Sequence, residues 1–270
     1  ENNQRFTKQL RLATKNIHKI SDTFVNAKLT FALSDNEVWA DGLLVFHEIF
    51  VFLEENVPET ILPTEFHRKQ QFEEDLNYFL GDDWRHYYQP RKAVYYYLKH
   101  LEEVKARDPN LLIAYVYHLY MGLLSGGQIL SKKRSLLAKL NPFSSDSDES
   151  KKGGQAVTTY ENVTIAELKF RMRAIVDELG EKLDEQTKND IIAESHKVFE
   201  LNNTLIQTVE GVSRVTKTKF LSILLILLVL ILYFFDFFQY LGINNRSILL
   251  LLLFLYLCIL YVKAYFNRSS

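Results

Sequence analysis

The sequence predicts an all-α domain followed by a membrane anchor, and three observations predict it. Helix start and stop signals divide residues 5 to 211 without leaving a credible strand, apolar side chains recur there at helical spacing, and Phe220 to Phe266 is close to continuous hydrocarbon. The 270 residues carry a formal net charge of −1, and 47% are hydrophobic. That balance supports a sizeable core and gives no global field toward nucleic acid, so no nucleic-acid partner is expected. The single cysteine, Cys258, lies in the apolar stretch, which leaves no pair for a disulfide within the chain.

The elements follow in order. Leu10, Ala13, Ile17, Ile20 and Phe24 form one stripe of a first helix, and Arg11, Thr14, Lys15, His18 and Asp22 form the other. Ser34-Asp35-Asn36-Glu37 reads as a capping box opening a helix that runs through Phe46 to Leu53 and stops before Pro58. Pro63-Thr64 leads into another, closed by Gly81, and Pro90 suits the first turn of the next, where its missing N–H has no partner to lose. Asp108-Pro109 caps a long segment ending at Asn141-Pro142. Residues 144–155 (SSDSDESKKGGQ) are charged and Gly-ended, a flexible loop. Thr164 to Glu167 is a second capping box, with Gly180 as that helix's terminator, and the last soluble helix runs from about Asp184 to Gly211.

The division is therefore a helical domain over 1–211 and an anchor over 212–270, with spans expected at 220–241 and 247–266 around the polar turn Gly242 to Arg246. A span needs about 20 apolar residues. Arg214, Lys217 and Lys219 precede the first run and Lys263 and Arg268 follow the second, against Arg246 alone in the turn. The positive-inside tendency then puts both ends and the helical domain on the cytoplasmic side, with membrane lipid as a partner. One span plus an interfacial helix is the alternative.

Chemistry concentrates in Tyr115 to Gln128, YVYHLYMGLLSGGQ. Each mid-helix glycine costs roughly 1 kcal/mol against Ala, so something must compensate. Gly122, Ser125 and Gly126 share a helical face of nearly bare backbone, open either to a second helix or to a flat ligand. His118, one turn earlier, shares that face. On the first helix His18 is either a surface histidine or, if a ligand covers the polar stripe, a metal ligand with Arg11 and Lys15 meeting anionic groups. His47, His67, His86, His100 and His196 show no metal-ligand spacing and read as surface or helix-end residues. Nucleotide-binding glycine loops, nucleophile elbows and zinc patterns are absent from the sequence.

LRLATKNIH (Leu10 to His18), EFHRKQQFEEDL (Glu65 to Leu76), LKHLEEV (Leu98 to Val104) and YMGLLSGGQIL (Tyr120 to Leu130) occur in the order and near the spacing of eukaryotic heme oxygenases. Over roughly residues 5 to 211 the chain resembles that family, in an insect-like form, and the apolar tail is also a family feature. The resemblance implies a heme-oxygenase-like helical domain holding heme, both substrate and cofactor, between two helices. His18 would be the iron ligand and Asp22 the acid that orients it. Arg11, Lys15 and Lys169 would lie near the propionates, while Gly122, Ser125, Gly126 and His118 would line the catalytic, oxygen side. Heme would be consumed with O2 and electrons from NADPH, supplied through a flavoprotein reductase, giving biliverdin, CO and ferrous iron at the cytosolic face of the endoplasmic reticulum membrane. The chain departs from the family's pattern at Leu123, Leu119 and Phe50, where the family has an Asp, an Arg and a Tyr that hold a water network. That departure implies slow or less regioselective turnover, or a heme-binding and sensing protein with little turnover. His118 would replace some of the lost polarity, coordinate iron from the distal side, or lie at the pocket's edge.

Overall fold

The computed structural model describes residues 4–30, 32–139 and 153–240, together with Phe254 and Tyr256. Most of the expected 144–155 loop, the end at Asn141-Pro142, the turn at 242–246 and nearly all of the 247–266 run lie outside those residues. Among the described residues the regular structure is helical and includes no strand.

The first helix is two. α1 (Phe6–Ala13) and α2 (Lys15–Leu29) meet at Thr14, whose φ of −90° and ψ of 1° break the helical path and whose hydroxyl donates to Leu10 O at 2.8 Å. The break rotates the second half, so the expected apolar stripe does not continue. Leu10 is fully buried, whereas Ile20 is 64% exposed and Ser21 is buried in its place. α3 (Asn36–Asn56) is capped by Asp35, which accepts from Val38 N at 3.0 Å, one residue later than the Ser34 box expected. Asp and Ser cap about equally well, but a carboxylate also meets the positive end of the helix dipole.

A 3-10 turn at Thr64–Phe66 precedes α4 (Lys69–Leu80). Its cap comes from another helix: Glu54 of α3 accepts from Arg68 N at 2.5 Å and Lys69 N at 3.1 Å, and from Tyr120 Oη at 3.0 Å. α5 (Trp84–Tyr87) is one turn, and α6 (Lys92–Arg107) starts after Arg91, so Pro90 precedes the helix instead of opening it. α7 (Leu112–Gly122) passes through a π-helical turn at Leu123–Gly127 into α8 (Gln128–Lys139). α9 (Ile165–Lys182) is capped by Thr164, α10 (Glu185–Gln207) by Asp184, and α11 spans Val212–Tyr240.

α3 packs on α4 and α6, α10 lies across α7 and α2, and α1 rests on α9. Leu10, Ile49, Leu53, Tyr97, Leu101, Tyr115, Tyr120, Val176 and Val198 are fully buried in the core. Glu194 of α10 ties three helices together, accepting from Tyr115 Oη at 2.7 Å, His100 Nε2 at 3.1 Å and Arg107. Burial alone would raise the Glu194 carboxyl's pKa, but the hydrogen bonds from Tyr115, Arg107 and His100 hold it below the ordinary range. His100 is thus part of a core-side network and no helix-end residue. His47 is likewise buried, 1% exposed, edge-on to Trp84 with ring centroids 5.4 Å apart. Both sit on faces where neighbouring apolar residues make a histidine legible only as amphipathic.

Gly180 does not terminate α9. It lies inside the helix, buried, where an added Cβ would stand 2.5 Å from Phe6 Cβ and 2.8 Å from its Cγ. Its smallness lets α1 seat its first aromatic. Gly180→Ala is therefore expected to destabilise the domain by about 1–3 kcal/mol despite Ala's better helix propensity, because the clash is with the fixed base of a side chain. Thermal unfolding of the variant checks this.

The chain divides into two compact units between Thr216 and Lys217. In the second, Leu221, Ile223, Leu225, Ile226, Leu228 and Val229 of α11 are exposed. Among the described residues no helix is long and apolar enough to cross a membrane. Side chains of α11 beyond Leu230 lie outside that description.

Candidate functional site

α2 and the α7–π–α8 segment line one cavity of about 1260 Å3, and α1, α3, α9 and α10 also contribute to its wall. The α2 residues that line it are Lys15, His18, Ser21, Asp22, Val25, Asn26 and Leu29, one face of the helix. The polar stripe of α2 therefore faces a cleft and not bulk solvent. His18 is held by Asp22 one turn on, Nδ1 to Oδ2 at 2.9 Å, and its ring meets Phe199 edge-on at 5.4 Å between centroids. A carboxylate on Nδ1 favours the tautomer whose Nε2 lone pair is available to a metal.

Gly122, Ser125 and Gly126 line the same cavity. A Cβ placed on Gly122 or Gly126 would meet nothing within 4 Å. That decides between the two uses of the bare strip: among the described residues no second helix packs there, and the missing side chains leave open space. The π-helical turn beginning at Leu123 is a rare device that re-aims backbone at functional sites. Gly127 does a different job, since its Cβ would stand 2.9 Å from Leu123 Cδ1.

Arg5, Lys8, Arg11, Lys15, Lys133 and Arg173 line the cavity, and Asp22 is the one acid among the lining residues. This is a field for an anionic ligand. Lys169, expected beside Arg11 and Lys15, does not line it; Arg173, one turn further along α9, does. Burial raises the pKa of the Tyr117 hydroxyl; the nearby Arg173 and Arg11 oppose that rise and the Asp177 carboxylate adds to it. Spacing alone could not separate Lys169 from Arg173, which share a face of α9. Phe199, Asn202, Asn203 and Gly42 also border the space and carried no distinguishing signal in the sequence.

Four buried polar atoms on lining residues have no partner among the described residues: Ser21 Oγ, Trp39 Nε1, His118 Nε2 and Asn203 Oδ1. Such orphans are costly in a finished interior and point to a ligand or ordered water. A flat cleft with an acid-held imidazole, a glycine floor and basic groups fits heme, which presents one metal and two carboxylates.

Comparison with known proteins agrees with this geometry. The family model described as heme oxygenase matches residues 4–208. The chain belongs to the heme oxygenase family. It is 30% identical over 216 residues to heme oxygenase 1 of a Nostoc species, a match covering 75% of this chain and 85% of that one. Against human heme oxygenase 1 the identity is 29% over 222 residues, covering 77% and 72%. Among solved structures, heme oxygenase-1 from a Synechocystis species in complex with heme matches with a TM-score of 0.64 at 25% identity, covering 83% of this chain and 100% of that one.

Within this heme oxygenase fold, the three departures expected from sequence all line the cavity: Phe50, Leu119 and Leu123. Phe50 packs against Phe72 at 4.9 Å, tilted, and against Tyr120 at 5.0 Å, edge-on, between ring centroids, so that wall is aromatic.

Proposed function

We propose that this heme oxygenase cleaves heme to biliverdin, CO and ferrous iron, with O2 and electrons that an NADPH-dependent flavoprotein reductase supplies. The observation that carries the reading is the His18–Asp22 pair lining the same cavity as the open glycine strip of α7 and the π-helical turn. When bound, heme supplies the iron that activates O2 and the macrocycle that is oxidised. The chain's own residues do the rest. His18 offers Nε2 to the metal while Asp22 fixes its ring. Arg11, Lys15 and Arg173 neutralise the carboxylates. Gly122 and Gly126 admit the macrocycle close to the helix backbone, and Ser125 sets a hydroxyl between them. Phe50, Leu119 and Leu123 exclude water.

That last feature shapes the expected kinetics. A pocket water needs about two to four polar partners to stay ordered, and an aromatic and aliphatic wall supplies none. Protons then reach the oxygen side less reliably, so turnover is slow or yields more than one bilin isomer. The same wall favours a second reading, a heme-binding or sensing protein with little turnover. Adding reductase, NADPH and air to the hemin complex separates them: loss of the Soret band with growth of bilin absorption supports cleavage, and a persistent Soret band supports sensing. Chromatography of the bilin gives the regiochemistry. A single isomer formed rapidly would refute the dry-wall argument.

The apolar run from Phe220 to Leu241 continues the exposed apolar surface of α11, and with 247–266 forms a hairpin in the endoplasmic reticulum membrane, the helical domain facing the cytosol. A tag at Ser270 accessible from the cytosolic side supports the hairpin; a lumenal tag overturns it.

A further inference from the structure

The π-helical turn needs something to hold it. A π turn adds one residue to the helical path, so rewinding it as α-helix would rotate everything after it by about 100°. The α8 residues that line the cavity, Ile129, Leu130 and Lys133, would then give way to their neighbours. Leu123–Gly127 ends in two glycines, which leave its winding free to change.

The brace comes from a segment distant in sequence. The 3-10 turn Ala156–Thr158 meets α8 through Thr158, which bonds to it at two points. Gln128 Nε2 donates to Thr158 O, and Thr158 Oγ1 donates to Ser131 Oγ at 3.1 Å. Gln128 and Ser131 are the first and fourth residues of α8, on one face, so the two bonds together fix its rotation. The Thr158 methyl also lies 3.9 Å from where a Cβ on Gly127 would stand, against the end of the π turn.

The turn is held in its place from the side of α4. Asp75, 1% exposed, accepts from Ala156 N at 2.8 Å with one carboxylate oxygen and from Val157 N at 3.0 Å with the other. Burial raises that carboxyl's pKa in spite of the two bonds, so the fold meets a desolvation cost to keep it there. Arg68 Nη1 adds a bond to Thr159 O at 2.9 Å. Four consecutive residues are thus tied, to α4 and the residue before it on one side and to α8 on the other. Val157 and Thr158 line the cavity, whereas Asp75, Gln128 and Ser131 do not.

We propose that residues 156–159 are a strap that sets the rotation of α8 after the π turn, which makes Gln128, Ser131 and Asp75 positioning residues for a bound macrocycle they never touch. This rests on the heme reading. The strap selects one setting of Gly126 and the first turn of α8, so the macrocycle meets a single arrangement of its oxygen side.

The test uses the full chain in detergent: wild type, Gln128→Leu, Ser131→Ala, Ser131→Thr and the double variant Gln128→Leu/Ser131→Ala. Three quantities are read. They are hemin affinity from the Soret band, the infrared stretch of carbon monoxide on the ferrous complex, and amide hydrogen exchange across Leu123 to Ser131 without heme. The stretch responds to the groups nearest the iron on the glycine side. Each lost hydrogen bond shifts an equilibrium by about fivefold. Exchange should therefore quicken about fivefold per bond, and hemin binding should weaken as the competent setting is depopulated. The double variant should gain a second carbon monoxide band, and Ser131→Thr, which keeps the hydroxyl, should behave as wild type. Unchanged exchange in the double variant overturns the strap. Faster exchange and a lower melting temperature, with carbon monoxide band and hemin affinity unchanged, overturn the proposal too, because the strap then braces the fold alone. No Soret band in wild type would fail the heme reading instead, and the exchange result would still judge the strap. Should the double variant not fold, the single variants carry the same comparison.

Discussion

His18→Ala is expected to lower reductase-driven bilin formation by more than about a hundredfold while leaving the domain folded. Partners one shell out from a metal typically account for roughly 10–100-fold in affinity or activity, and the ligand itself accounts for more. Asp22→Asn, which keeps the shape but weakens the hold on Nδ1, should cost roughly tenfold by the same scale. The fold should tolerate both changes. The side chains of His18 and Asp22 are 57% and 63% exposed, and beyond Asp22 the His18 ring packs on Phe199. Substitutions at such sites usually move stability by less than about 0.5 kcal/mol. The telling readout is the combination: normal thermal unfolding, hemin still taken up through the basic groups and apolar walls, an altered ferric spectrum, and partial rescue by added imidazole. Turnover of His18→Ala within tenfold of wild type would remove His18 from the iron.

Which parts of this were legible in the sequence depends on how local their causes are. Caps at Asp108, Thr164 and Asp184 are legible because a side chain and a backbone N–H two or three residues away settle them. α4 starts where it does because Glu54, on a different helix, accepts its first amides, and no local pattern records that. Gly180 has the same ambiguity: a glycine near a helix end reads as a terminator, and only Phe6 arriving from the far end of the domain makes it a packing site. The break at Thr14 escaped periodicity because a hydroxyl bonding back to Leu10 O is compatible with continuing the helix or leaving it. At the site, spacing within single helices put His18 and Asp22 on one polar stripe and Gly122, Ser125 and Gly126 on one bare face, while their assignment to a ligand came from the resemblance to heme oxygenases. Arg173, Phe199, Asn202 and Asn203 come from α9 and α10, which reach the cavity only through tertiary packing.

The glycine strip supports the second large prediction, one in which stability and function move in opposite directions. Gly122 has an ordinary right-handed helical backbone, φ −62° and ψ −47°, so no strain forbids a side chain there. Its Cβ would enter open space. Gly122→Leu should thus gain roughly 1 kcal/mol of helix propensity and raise the melting temperature of the heme-free domain by about 2–4 °C. The leucine would also occupy the space above the macrocycle, opposite His18. Displacing a close-packed flat ligand by even 2.7 kcal/mol is a loss of about a hundredfold in affinity, and a branched side chain inside contact distance should exceed that. Hemin titration beside calorimetry on the same variant reads both quantities. A glycine kept for packing would show both falling together. A glycine kept for a ligand shows a more stable protein that no longer binds heme, because the propensity it forgoes is offset only when the cavity is filled.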